Sequence, residues 1–199
     1  MRRTRTGLLL AGVFSLAVVG AVAADEIYQL CSALAKSPDD SNTYQRVGYV
    51  GYPSPLITDP PAVPAAAAKL ADSEPVIGVT AGGKARAYRR SALEHVHYHV
   101  VNDLLGGVPV TVTRCDRKQC TRVFTGDGTR ALRLRVGGYA DGLLVKAGDR
   151  TYRQEDGKPT AGPEAGTVPF RPFAFVEATW AEWRAAHPDT DVVLGVELT

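Results

Sequence analysis

Residues 91–120, SALEHVHYHVVNDLLGGVPVTVTRCDRKQC, hold three of the chain's four histidines and two of its three cysteines, and their reading decides both fold and chemistry. In an extended strand His95, His97 and His99 fall two apart and share one face, with Tyr98 and Val100 on the other. In a helix only His95 and His99 share a face, one turn apart. Ser91 and Glu94 form an S-x-x-E capping pattern, and the Val-rich VHYHVV run prefers a pleated backbone. A short helix changing to strand is therefore expected, with Asn102-Asp103 and Gly106-Gly107 supplying turn chemistry. The VPVTVTRC run then alternates Val108, Val110 and Val112 against Thr111 and Thr113, as a strand ending at Cys115 does. A hairpin of this kind would bring Cys115 near the histidines.

Upstream, PVIGVT and KARAYR flank Ala81-Gly82-Gly83 as a second hairpin. Downstream, TRVFTG, RALRLRV and GLLVKAG are separated by glycine-rich turn signals, and DRTYRQEDGKPTAG reads as loop or short strands. Thr179 with Glu182 forms another capping box, opening a helix that carries Trp180 and Trp183 and stops before Pro188. DVVLGVEL closes the chain as a strand. The expected fold is α+β: a mostly antiparallel β-sheet, partly closed and barrel-like, with a few short helices.

The chain divides into 1–24, a signal peptide or N-terminal anchor; 25–37, a helix; 38–74, a Pro/Ala-rich extended segment; and 75–199, a compact β-rich domain. Basic MRRTRTG precedes an apolar run that is uncharged until Asp25, and Ala21 and Ala23 suit cleavage before Ala24. An uncleaved anchor is the alternative, because the run approaches the ~17–25 residues that span a bilayer. Either way the protein is expected to be exported: periplasmic, extracellular, or anchored facing out of the cytoplasm. The residues before Cys31, Tyr28-Gln29-Leu30, lack the small side chains of a lipoprotein signal. Ile27, Leu30, Cys31 and Leu34 follow the spacing of an apolar helical stripe, which makes Cys31 a buried thiol on a helix ended by Pro38.

The net charge of +2 comes from 23 basic and 21 acidic residues, and without Arg2, Arg3 and Arg5 it becomes −1. Nothing in that balance calls for nucleic acid, and membrane association rests on residues 1–24 alone. The glycine clusters do not form a strand-to-helix phosphate loop.

VIGVTAGGKARAYRRSAL, HVVNDLLGGVPVTVTRC and TWAEWRAAHPDTDVV, in that order, resemble the bacterial and archaeal proteins grouped as domain of unknown function 3179, over about Pro75 to Val193. The VND-x-x-GG-x-PV-x-VT-x-C core and the closing TW-x-EW-x-x-x-HPDT carry the likeness. It implies exported or membrane-linked placement, one compact β-rich domain, and cysteine just after the VPVTVT strand with histidine just before VND. It brings no activity. Where the family pattern has a C-P-x-C-like pair, this chain has Cys115 and Cys120 with four residues between them, and where the family has a single histidine it has H-x-H-x-H.

Alternating imidazoles with a nearby thiolate suit copper or zinc, with His97 and His99 as first ligands and Cys115, Cys120 and His95 behind them. The plainer interpretation puts these histidines at a strand surface or hydrogen-bonded at the core. Cys115 and Cys120 are the candidate redox or disulfide pair, either a structural clamp on DRKQ or, amid Arg114, Arg117, Lys118 and Arg122, an exchanging disulfide. With an odd cysteine count, at least one thiol is free, metal-bound or paired between chains. A Cys–His nucleophile, Cys115 or Cys120 with His97 or His99 oriented by Asn102 or Asp103, is the enzymatic alternative. Trp180 and Trp183 read as core anchors, and His187 as a helix C-terminal residue.

Overall fold

A computed structural model describes residues 54–161 and 170–195. The expected signal or anchor over 1–24 and the helix over 25–37 lie outside the described residues.

The strands are β1 (Ile57–Thr58), β2 (Val63–Pro64), β3 (Pro75–Ala81), β4 (Lys84–Arg89), β5 (Val100–Leu105), β6 (Val108–Cys115), β7 (Cys120–Thr125), β8 (Leu134–Ala140), β9 (Gly142–Ala147), β10 (Arg150–Arg153), β11 (Arg171–Pro172), β12 (Val176–Thr179) and β13 (Asp191–Val193). The helix α1 spans Trp180–Ala186. A central sheet runs β1-β5-β6-β7-β11, a second runs β12-β3-β4-β13-β2, and a three-stranded outer sheet runs β10-β9-β8. Pairing is mostly antiparallel, with parallel exceptions at β1/β5 and β13/β4. The β-rich expectation holds. The barrel-like closure is not seen among the described residues, where the strands form three open sheets.

The central sheet is buried on both faces. Val101, Val110, Val112 and Val123 pack with Ile77, Val79 and Tyr88 of the second sheet. The opposite face sends Val100, Cys115 and Phe124 against Leu134, Leu143, Val145 and Tyr152 of the outer sheet. This changes the meaning of the β6 alternation: valines and threonines take opposite faces as expected, but Thr111 and Thr113 are fully buried too. Their hydroxyls donate to Asn102 Oδ1 and Arg122 O, which removes the cost of burying them.

The second sheet is covered on its other face by α1, where Trp180 and Trp183 join Val76, Ala87 and Val192. The expected capping box is present, with Thr179 Oγ1 accepting from the Glu182 N–H and the Glu182 carboxylate accepting from the Thr179 N–H. Gly78 makes the docking possible, because a Cβ there would lie 2.2 Å from Trp183 Cε3.

Residues expected to form an extended segment before Pro75 are drawn in from Ser54 onward. β1 pairs with β5 and β2 with β13, and Ala65–Ala67 forms a 3-10 turn. Among the described residues, no helix is long and apolar enough to cross a membrane.

Asn102 and Asp103, expected in a turn, lie inside β5, and the turn falls at Gly106-Gly107, both with positive φ. As successive strand residues they face opposite sheets. Asn102 Nδ2 donates to Ile57 O and Leu134 O, while its Oδ1 accepts from Thr111 Oγ1 and Leu134 N–H. Asp103 accepts from Arg86 Nη1 at 2.8 Å, from Tyr88 Oη at 2.6 Å and from the Leu104 N–H. Arg86 also forks onto Asp191 through Nε and Nη2.

Replacing Asn102 by Ala strands several buried partners and is expected to cost about 2–4 kcal/mol in urea unfolding. Gly78→Ala is expected to cost about 1–3 kcal/mol by forcing Trp183 off the sheet, whereas Lys84→Ala on an exposed hairpin should stay within about 0.5 kcal/mol. Equal effects at all three positions would contradict this account of the packing.

Candidate functional site

The histidine row does not form. Arg90–Glu94 is a 3-10 turn without a side-chain cap, and Ser91 Oγ donates to Glu74 instead of capping. A second 3-10 turn, Val96–Tyr98, follows, and β5 begins only at Val100. A 3-10 backbone has three residues per turn, so positions two apart no longer share a face. His95 and His97 stay together near the surface with ring centroids 5.2 Å apart, the His97 N–H donating to His95 Nδ1. His99, in a helical backbone conformation just before β5, is turned inward and fully buried.

The sulfurs part as well. Cys115 and Cys120 are directly opposite in the β6/β7 ladder, yet Cys115 is a free thiol, so the expected Cys115–Cys120 clamp is not made. Cys115 is fully buried among Val100, Phe124 and Leu143, and its Sγ accepts the Lys118 N–H at 3.4 Å. Cys120 is disulfide-bonded and faces an open cleft of about 300 Å³ lined by Lys118, Leu143, Arg153, Gln154 and Pro159. The five expected ligands, His95, His97, His99, Cys115 and Cys120, are thus divided between the surface, the core and the cleft. Among the described residues no group of three or more His, Cys, Asp or Glu is placed to hold a metal ion.

One polar constellation does assemble, around His99. Its Nδ1 lies 2.6 Å from Leu93 O, and a carbonyl only accepts, so Nδ1 carries the proton. In the neutral ring Nε2 then presents a lone pair. That atom is buried without a hydrogen-bond partner and lies 3.5 Å from Asp116 Oδ1. The same carboxylate oxygen accepts from Tyr139 Oη at 2.9 Å, and the Arg117 guanidinium sits 4.4 Å over the Tyr139 ring. Burial pushes the Tyr139 hydroxyl well up, and the Asp116 charge adds to the shift, so Tyr139 remains a donor. Burial lowers the His99 pKa, with Arg114 and His95 acting the same way and the Leu93 carbonyl and Asp116 opposing.

Chemically this arrangement can hold a proton between an imidazole and a carboxylate. His99 was legible in the sequence as a candidate. Asp116 read only as loop, and Tyr139 sat in a Gly-rich turn signal; no spacing links either to His99, because the contact crosses from the central to the outer sheet. Asn102 and Asp103 do not orient an imidazole here, since their acceptors are engaged with Thr111, Leu134, Arg86 and Tyr88.

A sequence-family model described as "Protein of unknown function (DUF3179)" matches residues 53–197. No curated protein and no solved structure matches the chain.

Because the folded state lowers the His99 pKa below its ordinary 6.5, the unfolded chain takes up a proton first as pH falls. The stability that His99 contributes is complete above about pH 6.5 and is lost as pH drops from there toward the lower folded-state pKa. Urea unfolding at pH 7.5 and pH 5.5 (about one unit either side of 6.5) is expected to give lower stability at the acidic value. His99→Asn, whose amide can still donate to Leu93 O, should flatten that difference. An unchanged pH dependence in the variant would show that His99 is not a buried neutral imidazole.

Proposed function

We propose that this chain, which belongs to the DUF3179 family of proteins of unknown function, is an exported interaction or scaffold domain without a catalytic centre of its own. The observation that carries the reading is the fate of the side chains that suggested chemistry. Asn102 and Asp103 are hydrogen-bonded between sheets. Cys115 is sealed in the core, and His95 and His97 are separated from it. A nucleophile or a ligand set needs convergent groups reachable by substrate or ion, whereas these residues chiefly join layers. Export is supported by the basic residues Arg2, Arg3 and Arg5 ahead of the apolar run and Ala21-x-Ala23.

A second reading is thiol chemistry at Cys115 with His99 as base: His99 Nε2 is buried without a hydrogen-bond partner, and the His99 carbonyl accepts from the N–H of Arg114, the residue before Cys115. The two readings separate by thiol kinetics. For a scaffold, iodoacetamide reaches Cys115 only as fast as the protein unfolds, so labelling accelerates with urea in parallel with unfolding. For a thiol site, labelling is rapid in native buffer, depends on pH, and slows in His99→Asn. Metal analysis of protein purified without a histidine tag is expected to find copper and zinc well below one ion per chain. A stoichiometric ion lost in His97→Ala/His99→Ala, or rapid native labelling of Cys115, would overturn the scaffold reading.

A further inference from the structure

The chain has three cysteines; Cys115 is free, and Cys120 is disulfide-bonded. We infer that Cys31 supplies the sulfur joined to Cys120, and that this bond seats the acidic segment 25–52 of the same chain against the cleft beside β7.

Three further observations point to that occupant. The first is where the described chain begins. Ser54 O accepts from Arg135 Nη1 at 2.9 Å, so residue 54 is held on the outer sheet, whose β9 and β10 help to line the cleft. The residues between Cys31 and Ser54 can extend about 75 Å, which puts Cys120 well within reach. The second is charge. Segment 25–52 carries Asp25, Glu26, Asp39 and Asp40 against Lys36 and Arg46. The cleft lining is balanced, Lys118 and Arg153 against Asp141 and Glu155, and the excess of positive charge beside it comes from Arg117 and Arg122 of the hairpin bearing Cys120, offset by Asp116 alone. The third is apolar surface: Ile27, Leu30 and Leu34 share the predicted helical stripe with Cys31, and the cleft offers Leu143, Leu144 and Pro159 beside Cys120.

The bond forms by thiol–disulfide exchange. The Cys31 and Cys120 thiols each lose a proton, one S–S bond is made, and a disulfide-bearing oxidant of the export compartment is reduced to two thiols. Cys115, enclosed between the central and outer sheets, is left out. With only Asp25–Leu30 between Cys31 and the apolar run, the bond holds the cleft end of the domain close to whatever retains residues 1–24. The inference is independent of the scaffold reading, since it requires neither the presence nor the absence of catalysis.

The test is a peptide map of the full exported chain, denatured with N-ethylmaleimide and digested with trypsin without reduction. Cleavage after Arg114, Arg117, Lys118 and Arg122 places Cys115 and Cys120 on separate peptides. The expected product is the 119–122 peptide linked to the one ending at Lys36, with Cys115 carrying maleimide. A Cys115–Cys120 link, maleimide on Cys120, or a Cys120 link between isotopically mixed copies would overturn the pairing. Hydroxyl-radical labelling reads the seating separately: labelling of Leu144 and Pro159 should rise severalfold in Cys31→Ser and in reduced wild-type protein. Unchanged labelling in both would overturn the docking even if the bond is found.

Discussion

Adjacent strand residues point to opposite faces, and here that rule places Asn102 and Asp103 between three sheets. Asn102 uses both donors and both acceptor positions, tying β1 and the start of β8 to the central sheet. Asp103 takes Arg86 and Tyr88 from β4, and Arg86 extends the tie to Asp191 in β13. Hydrophobic burial supplies most of the favourable free energy but has no direction. The polar pair sets which strand lies over which, because a shift would leave buried groups unpaired at a cost of about 1–3 kcal/mol each.

The same layering governs the chemistry. A sheet covered on both faces makes its side chains interior, so the thiol of Cys115 becomes packing material while Thr111 and Thr113 find internal acceptors. At the end of β6, where Asp116 leaves the sheet, an ionisable cluster meets solvent. There His99 Nε2, Asp116 and Tyr139 Oη come together from three separate segments. Burial, which favours the neutral imidazole, outweighs the Asp116 carboxylate, which favours the charged form, so His99 keeps its proton on Nδ1 and Nε2 is disfavoured as a second proton site. The constellation consequently resembles a clasp between central and outer sheets more closely than an exposed reactive centre.

Local grammar was informative where a single element decides its own geometry. The turn at Gly82-Gly83 between β3 and β4, the capping box of Thr179 and Glu182, the strand ending at Cys115 and the turn at Gly106-Gly107 all follow from residue type and spacing, because steric limits and nearby hydrogen bonds act within a few residues. The same grammar failed at His95–His99, where alternation suited a strand but the backbone took a 3-10 path. It failed again at Asn102-Asp103, whose turn propensity was overridden by partners 9 to 45 residues away.

The sequence by itself determined the β-rich class, most strand positions, the tryptophan-bearing helix and the family, since these depend on periodicity, capping and motif order. Only the tertiary structure decided that β6 would be covered on both faces, that Cys115 would stay free opposite Cys120, and that His99 would meet Asp116 and Tyr139. The physical reason is that sheet stacking, and the side-chain contacts it creates, depend on pairings distant in the chain, for which no local spacing carries a signal.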